Sequence, residues 1–504
     1  MATNPSPQPQ RWVKIITVTL TLLLIPLLLF GLSMQPASGD SGQPKHYTEL
    51  RFPPLPQIQL PPYERLKLGN GMVVFLMPDR ELPLVSGSLM IRTGDRLEPA
   101  AKVGLADLMA TVMRAGGTNV HPAAQLNEIL EQKAASIETG MAVNSGSAGF
   151  SALSEDLPQV LDLLAEVLQQ PAFPEDKLNL AKLQLQGGID RRNDDPGDIM
   201  GREFRKLIYG STSPYARTEE YATIQAVSRQ DLQDFYQTWY RPENMILGIV
   251  GDFDAKALKQ QIADRFGQWR PTTAAPKAPA LPTVTQQSPN GVYFVNQPQL
   301  NQSSIRIGHL GGLVGSPDYP ALSVMNEVLS SFGGRLFNEI RSRQGLAYSV
   351  YAAWSPQFDF PGLFVAGGET RSEATVPFIQ SLKREIDRIR NEPISTKELQ
   401  AAKDAVLNSF IFNFEDPAQT LSRLMRYEYF GFPADFIFKY QKGIEQTTVK
   451  DIQRVAKEYL KPEKLVTIVV GNSTEIKPPL SDLGKVTPVD VTITKPAATP
   501  KPKP

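Results

Sequence analysis

The feature that most constrains this chain is a segment plan that occurs twice, 220 positions apart. Residues 231–251 run from an Asp-Leu pair through a helix-like stretch and a Pro-Glu turn into an apolar strand that ends in glycine. Residues 451–471 repeat that order, starting from Asp-Ile. This is an internal duplication, so we expect two homologous domains built around the same supersecondary unit.

The segments before the first copy alternate between strand-like and helix-like patterns. Asn70-Gly71 is a strong turn signal between the strand-like residues 63–68 and 72–77, which predicts an opening hairpin. Apolar residues at helical spacing follow in four segments: 104–113, 122–135, 157–169 and 175–189. The pattern predicts an α/β unit.

Composition marks the domain boundaries. Residues 270–290 are rich in Pro, Ala and Thr and too poor in large apolar residues to pack a core, so they are expected to be a linker. We therefore place the first domain at 63–269 and the second at 291–475. The tail, 476–504, consists largely of Pro, Thr and Lys and is expected to be disordered.

The N-terminus contains an almost purely apolar run at residues 15–34, preceded by basic residues. About twenty such residues suffice to cross a bilayer, whereas a secretory apolar region is usually about 7 to 15 residues long. We expect a transmembrane anchor, with 1–14 cytoplasmic and the bulk of the chain outside the cytoplasm, in the periplasm or its equivalent. The alternative is a signal peptide cleaved near Ala37, which would give a secreted protein. The proline-rich residues 35–62 are predicted to be a tether.

The chain has no cysteine, and its 52 basic and 52 acidic residues balance to a formal net charge of zero. The lack of cysteine excludes a disulfide framework and a cysteine-ligated metal. Balanced charge gives no support to nucleic acid as a partner. Hydrolysis by a nucleophile of this chain also has little support, because there is no cysteine and no Gly-x-Ser-x-Gly elbow.

A candidate site lies in residues 333–350. Two glycines precede a stretch with helical apolar spacing, another glycine ends it, and a strand is expected at 347–353. Arg341 is then at a helix end and Tyr348 on the strand, from where both could donate hydrogen bonds to a peptide carbonyl that gains negative charge during hydrolysis. On spacing alone, the simpler interpretation is that Arg341 complements a helix C-terminus and Tyr348 is an ordinary strand aromatic.

Several motifs within residues 63–471 together carry a family resemblance. They are Leu68-Gly69-Asn70-Gly71, Arg92-Thr93-Gly94, Gly104-Leu105-Ala106, Tyr240-Arg241-Pro242-Glu243-Asn244, Val250-Gly251-Asp252 and the block 335–348. The set resembles the pitrilysin or insulinase-type zinc peptidases, family M16, in the processing-peptidase branch M16B. The resemblance implies an α/β (α+β) fold of two homologous domains, each an antiparallel-rich sheet covered by helices. It also implies two subunits or halves that close like a clamshell on an unfolded peptide held as an added edge strand.

Family members that hydrolyse peptides carry the motif His-x-x-Glu-His after Gly-Leu-Ala, with a distal glutamate as third zinc ligand. Histidines four apart share one helix face, and the glutamate between them activates the metal-bound water. The matching positions here hold Asp107, Ala110, Thr111 and Gly188. The resemblance therefore implies that this chain binds no metal and that zinc belongs to a partner subunit. Asp107 is expected to be a solvated or ion-paired helix residue.

The other half of the family's active site is present. Arg341 and Tyr348 match the arginine and tyrosine, seven apart, that reach across the cleft in the family to hold substrate and stabilise the transition state. The resemblance thus implies the non-catalytic subunit of a heterodimeric M16-type metallopeptidase, inactive alone, which binds unfolded peptide and lends this pair to a zinc-bearing homologue. The alternative is an inactive scaffold or peptide-binding structural subunit of a membrane-associated complex.

Overall fold

The computed structural model describes residues 58–271 and 282–495, which we call the first half and the second half. The apolar run 15–34, predicted to be a membrane anchor, lies outside these residues, as do most of the tether and the middle of the linker. Within the two described halves, we find no helix that is both long enough and apolar enough to cross a bilayer.

The first half contains a mixed six-stranded sheet. Its strands are β1 (Glu64–Lys67), β2 (Val73–Pro78), β3 (Leu84–Ile91), β4 (Ser136–Met141), β5 (Gly146–Leu153) and β6 (Met245–Gly251). Their order across the sheet is β1-β2-β6-β3-β5-β4, and every neighbouring pair is antiparallel except β2 and β6. Strand β6 lies inside the sheet and is buried on both faces, which explains its continuous apolar sequence.

The helices of the first half cover one face of this sheet, apart from the fifth, which packs on the other sheet. In chain order they are α1 (Leu105–Ala115), α2 (Ala123–Gln132), α3 (Leu157–Gln169), α4 (Glu175–Arg191), α5 (Pro196–Tyr209), α6 (Tyr221–Gln225), α7 (Arg229–Trp239) and α8 (Ala255–Phe266). The four segments predicted to be helical correspond to α1–α4. Helices α1 and α3 bury their apolar stripes in the first core, where Leu108 and Leu161 are completely buried.

The second half repeats the plan. Its strands are β7 (Gly291–Asn296), β8 (Gln302–Leu310), β9 (Ala347–Ser355), β10 (Leu363–Arg371), β11 (Val466–Gly471) and β12 (Val486–Pro488), in the order β12-β7-β11-β8-β10-β9. Its helices are α9 (Tyr319–Ser330), α10 (Thr375–Asn391), α11 (Thr396–Ser409), α12 (Pro417–Phe430), α13 (Phe436–Gln446) and α14 (Val449–Tyr459). The predicted fold class is confirmed: each half is a mixed, largely antiparallel sheet covered by helices.

The duplicated segments occupy equivalent places in the two sheets. Strand β11 runs parallel to β7 and antiparallel to β8, just as β6 runs parallel to β2 and antiparallel to β3. The repeated aspartates close capping boxes at the starts of α7 and α14. Asp231 accepts the backbone N–H of Ser228 at 2.8 Å, and Asp451 accepts that of Thr448 at 2.9 Å. The repeated sequence therefore corresponds to a capped helix start and a central strand in each half.

Each half also covers the outer face of the other half's sheet. Helix α12, from the second half, packs on β6, β3 and β2, with Leu421 and Met425 in the shared cluster. Helix α5, from the first half, packs on β11 and β8 through Phe204 and Ile208. Because both exchanges bury apolar side chains, the two halves cannot separate without exposing a face of each sheet. The described residues form one compact unit.

Glycine permits the closest of these contacts. A Cβ added at Gly248, in the middle of β6, would lie 2.3 Å from the Met425 sulfur and 3.1 Å from a Leu421 methyl carbon. A side chain here would push α12 away from the sheet. The glycine inside this otherwise apolar strand therefore marks the place where a helix approaches the backbone.

The prediction of a disordered tail is wrong for residues 476–495. Ile476 and Leu480 are only 4% and 7% exposed, and β12 pairs in parallel with β7. Farther along, the Val491 carbonyl accepts a hydrogen bond from the Asn193 amide at 2.7 Å. The second half has no strand before β7 equivalent to β1, so the tail supplies the missing edge strand. Its few apolar residues are spaced to pack there, a pattern that average composition hides.

Replacing Phe204 by alanine tests the exchange of helices. The ring is completely buried between α5 and the second sheet, so we expect the free energy of unfolding to fall by about 3 to 5 kcal/mol. Phe412→Ala is the matched control, because that ring is 63% exposed. It should change stability by no more than about 0.5 kcal/mol. Urea unfolding measures both, and similar small losses in the two variants would contradict the packing role of α5.

Candidate functional site

The start of α1 is built by a buried carboxylate. Glu98 accepts the backbone N–H groups of Gly104 and Ala106 at 3.0 and 2.9 Å, which satisfies donors at the helix N-terminus. Arg217 donates to the carbonyl oxygens of Asp95 and Glu98 at 2.7 and 2.8 Å, and so fixes the approach to the helix. Burial raises the pKa of Glu98 to about 7, although the two backbone N–H groups act in the opposite direction.

The four positions that match the family's zinc motif do not form a metal site. Ala110 is buried, and its carbonyl oxygen accepts the Thr139 hydroxyl at 2.7 Å. Gly188 lies in α4, and a Cβ added there would meet nothing within 4 Å. Alanine and glycine have no side-chain ligand atom, and the described residues contain no group of three or more His, Cys, Asp or Glu that could hold a metal ion.

Asp107 was expected to be a solvated or ion-paired residue of the helix. It lies in the first turn of α1 and is partly buried. It makes no ion pair with the described chain. Burial, and then the nearby charge of Glu219, raise the pKa of Asp107. The same two causes raise the pKa of Asp95 to about 6. Asp95, Asp107 and Glu219 therefore form a cluster of carboxylates that repel one another, which we call the carboxylate wall.

The segment that carries Arg341 is more irregular than predicted. Phe337–Arg343 forms a π-helical turn, in which the Gln344 N–H donates to the Glu339 carbonyl at 3.1 Å. Gly345, with φ of 61°, then turns the chain into β9, which extends two residues beyond the predicted end at 353. The glycines were expected to bound an ordinary helix. Such wide turns are frequent at functional sites.

The structure brings Arg341 and Tyr348 together. The guanidinium carbon of Arg341 lies 4.6 Å from the ring centre of Tyr348 and 4.7 Å from that of Phe337. Within the described residues Arg341 has neither a hydrogen bond nor an ion pair, whereas its neighbour Arg343 is paired with Glu339. Tyr348 is 84% exposed. The rings therefore hold the arginine while its N–H groups stay available to another molecule.

Phe337 is a member of this arrangement that we did not predict from the sequence. It precedes Arg341 by four positions, and residues four apart on a helix are neighbours on its surface. That spacing was the signal that could have identified it. The simpler interpretation of Arg341 as a cation complementing a helix C-terminus does not describe its contacts, which are to the two rings.

A separate cleft of about 660 Å³ lies between the two halves. The first half lines it with Asp95, Glu98 and Glu219, and the second half contributes Arg306 and Phe360. The residues that line it do not include the Arg341–Tyr348 pair or Asp107. The structure thus does not bring the pair and the degenerate zinc positions into one site within this chain.

Replacing Asp95 by asparagine tests the electrostatics of the carboxylate wall. The pKa of this carboxyl rises from 3.8 to about 6 on folding, so the folded state binds more protons than the unfolded state between these values. Wild-type stability should therefore fall relative to Asp95→Asn as pH rises from about 4 to 6. Above pH 7 the variant should be more stable by on the order of 1 to 3 kcal/mol.

Urea unfolding of both proteins at pH 4 and pH 7.5 measures this difference. Asp482→Asn, in an exposed turn, is the matched control for the loss of one carboxylate. The difference in free energy of unfolding between wild type and Asp95→Asn should change between the two pH values. An equal difference at both would show that ionisation of Asp95 does not destabilise the folded state.

Two family models match the chain, one in each half. The model described as Insulinase (Peptidase family M16) matches residues 74–209, and the model described as Peptidase M16 inactive domain matches residues 226–406. The first range contains the degenerate zinc positions, and the second contains Arg341 and Tyr348. The two models together extend over parts of both sheets.

Similar proteins have names that differ in the activity they state. A Bacillus subtilis protein named uncharacterized zinc protease YmxG is 24% identical over 364 residues, covering 71% of this chain and 86% of that protein. A Helicobacter pylori protein named non-peptidase homolog YmxG is 24% identical over 403 residues, covering 79% and 91%. The likeness therefore leaves open whether this chain hydrolyses peptides.

Solved structures share the fold. One from Pseudomonas fluorescens, described as a peptidase M16 inactive domain, matches with a TM-score of 0.74 at 23% identity, covering 83% of this chain and 100% of that one. A Helicobacter pylori protease structure matches with a TM-score of 0.71 at 20% identity, covering 82% and 100%. With an M16 family model matching in each half, residues 74–209 and 226–406, the chain belongs to the insulinase family of peptidases, M16.

Proposed function

We propose that this chain is the zinc-less subunit of a heterodimeric M16-type metallopeptidase, acting outside the cytoplasm, that binds unfolded peptide and supplies Arg341 and Tyr348 to a zinc-bearing homologue. The observation that carries this proposal is the state of Arg341. Its guanidinium carbon lies over two rings, 4.7 and 4.6 Å from their centres, yet the group makes no hydrogen bond or ion pair with the described chain. Contacts with aromatic faces use none of the N–H donors, which stay available to a ligand.

Tyr348 completes the pair. Its ring stacks on Arg341, while its hydroxyl has no partner among the described residues and the side chain is 84% exposed. A guanidinium and a phenol side by side can both donate to one carbonyl oxygen. Their donation would become stronger as that oxygen gains negative charge, which is the form of assistance that accelerates hydrolysis.

The residues of this chain do not fit a zinc ion at the family's position. Ala110 and Gly188 offer no side-chain ligand, and neither Asp107 nor Thr111 is the imidazole the site requires. No metal-dependent step is therefore assigned to this chain. In the proposed complex, the partner's metal would supply the activated water, and this chain would hold and polarise the peptide.

The sheet edges support binding of unfolded peptide. Strands β4 and β9 are the outermost strands on one side of their sheets, so one row of their backbone groups has no partner strand in the described residues. An extended peptide can add to such an edge through main-chain hydrogen bonds. Tyr348 lies on β9, so a peptide on that edge would run close to its hydroxyl.

The second candidate is an inactive scaffold or peptide-binding structural subunit. Two descriptions favour this candidate: one matching family model is described as an inactive domain, and one relative of this chain is named a non-peptidase homolog. An exposed tyrosine beside an unpaired arginine argues against a purely structural role, because a scaffold gains nothing from leaving these donors free. The two candidates differ in one outcome, which is the effect of the pair on turnover.

Replacing the pair in a reconstituted complex with a zinc-bearing M16 homologue tests the proposal. Arg341→Ala and Tyr348→Phe should each lower kcat/KM on an unfolded peptide by on the order of a hundredfold, as expected for the loss of one donor to a developing oxyanion. Arg341→Lys should also lower kcat/KM, because the point charge of lysine cannot reproduce the planar set of donors of arginine. Steady-state kinetics measures these effects, and gel filtration and metal analysis check that assembly and zinc content are unchanged.

Arg343→Ala is the matched control, because it removes an exposed arginine from the same turn whose charge is already paired with Glu339. It should leave turnover nearly unchanged. Full activity of the Arg341 and Tyr348 variants in an intact complex would refute the catalytic role and leave the scaffold candidate.

A further inference from the structure

The cleft between the two halves contains two arginines without a carboxylate partner. Arg205, on α5, makes no hydrogen bond or ion pair with the described chain. Arg306, on β8, makes no ion pair there, and its one hydrogen bond runs from Nε to the Tyr351 hydroxyl at 3.3 Å. Both residues line the cleft. Neither arginine belongs to a motif that the sequence reveals.

Helix α5 relates the two arginines in the cleft. A Cβ added at Gly201 would lie 3.4 Å from Nη1 of Arg306, so the end of that side chain lies against this turn of α5. Arg205 follows Gly201 by four positions and therefore projects from the same helix face. Arg205 and the end of the Arg306 side chain are thus both placed at this face of α5.

Arg306 is oriented by its surroundings. The Tyr351 hydroxyl accepts a hydrogen bond from the Nε–H group of Arg306, and the ring centre of Phe204 lies 5.9 Å from the Arg306 guanidinium carbon. These contacts occupy the stem side and one face of the group. The two terminal NH₂ groups remain without a protein partner at the cleft surface, which is the edge that binds a carboxylate with two parallel hydrogen bonds.

The other arginines around the cleft show what a structural role requires. Arg217 donates to two backbone carbonyls and lies 3.9 Å from Glu98, and Arg96 pairs with Asp359 at 2.6 Å. Arg205 and Arg306 have no such acceptors. The cleft carboxylates Asp95 and Glu219 form no ion pair with them, so the fold keeps the opposite charges apart.

We propose that Arg205 and Arg306 form a carboxylate-binding subsite that holds the C-terminal α-carboxylate of a peptide. The cleft volume of about 660 Å³ suits the end of a peptide and is too small for a folded domain. Tyr215 and Phe360, stacked at 4.2 Å, give the cleft an apolar surface for the adjoining side chain. This subsite rests on the proposed function, since it assumes that the chain binds peptide.

Peptide binding to the whole chain tests the subsite. The probes are three octapeptides of alanine, glycine and serine with an N-terminal dansyl group: one with a free C-terminal acid, one amidated, and one amidated with an internal glutamate. Fluorescence anisotropy gives each Kd. The free acid should bind about ten- to hundredfold more tightly than the amide, the range expected for hydrogen bonds to a charged group.

Arg205→Gln and Arg306→Gln should each remove most of this preference while leaving the affinity for the amide unchanged. Arg371→Gln is the matched control, because it removes an exposed arginine outside the cleft. It should retain the full preference. Melting temperatures of the variants verify that each remains folded.

The outcomes separate this subsite from the proposed function. Equal affinity for acid and amide, or a preference that survives in both cleft variants, overturns the subsite, while loss of turnover in Arg341→Ala would still support the subunit role. A preference for the peptide with internal glutamate over the free acid also overturns it, because the source of the carboxylate is then a side chain. No binding of any peptide overturns the subsite and the peptide-binding part of the proposed function together.

Discussion

The structure depends on the reciprocal packing of two helices, each on the sheet of the other half. Helix α5 covers β8 and β11, and helix α12 covers β2, β3 and β6. A sheet that has helices on one face alone leaves its second face to be buried elsewhere. The duplication meets this requirement by exchange, which makes the two halves one unit. The cleft between them is consequently a fixed feature, lined by α5 and by segments of both halves.

This fixed frame explains how charges can remain unpaired. Asp95 lies on one wall of the cleft with a raised pKa, and Arg205 and Arg306 also line the cleft without carboxylate partners among the described residues. In a flexible cleft these groups would approach and neutralise one another. Arg341 has no hydrogen-bond partner among the described residues for a different reason: it lies over the faces of two rings, and these contacts do not use its N–H groups. In both places, rigid surroundings preserve hydrogen-bonding capacity for another molecule.

The fold could be predicted from residues whose roles are local. Asp231 and Asp451 close capping boxes, and the strands that follow are apolar because they are central. The π-helical turn before Gly345 was not predictable, because its spacing also suits an ordinary helix. Burial of Ile476 depends on a vacant sheet edge, and the presence of Arg205 and Arg306 in one cleft depends on the exchange of α5. Neither arrangement produces a periodic pattern in the sequence, so neither could be predicted from it. The pairing of Arg341 with Tyr348 was inferred from family resemblance, and spacing alone favoured the simpler interpretation.

The central proposal is that this M16 chain contributes to peptide hydrolysis through its second half and binds no metal of its own. The most direct measurement is the zinc content of the purified chain by mass spectrometry after gel filtration, together with its hydrolysis of an unfolded peptide. Our account predicts no stoichiometric zinc and no hydrolysis by the chain alone. One tightly bound zinc per chain, removed by a chelator together with peptide hydrolysis, would contradict it.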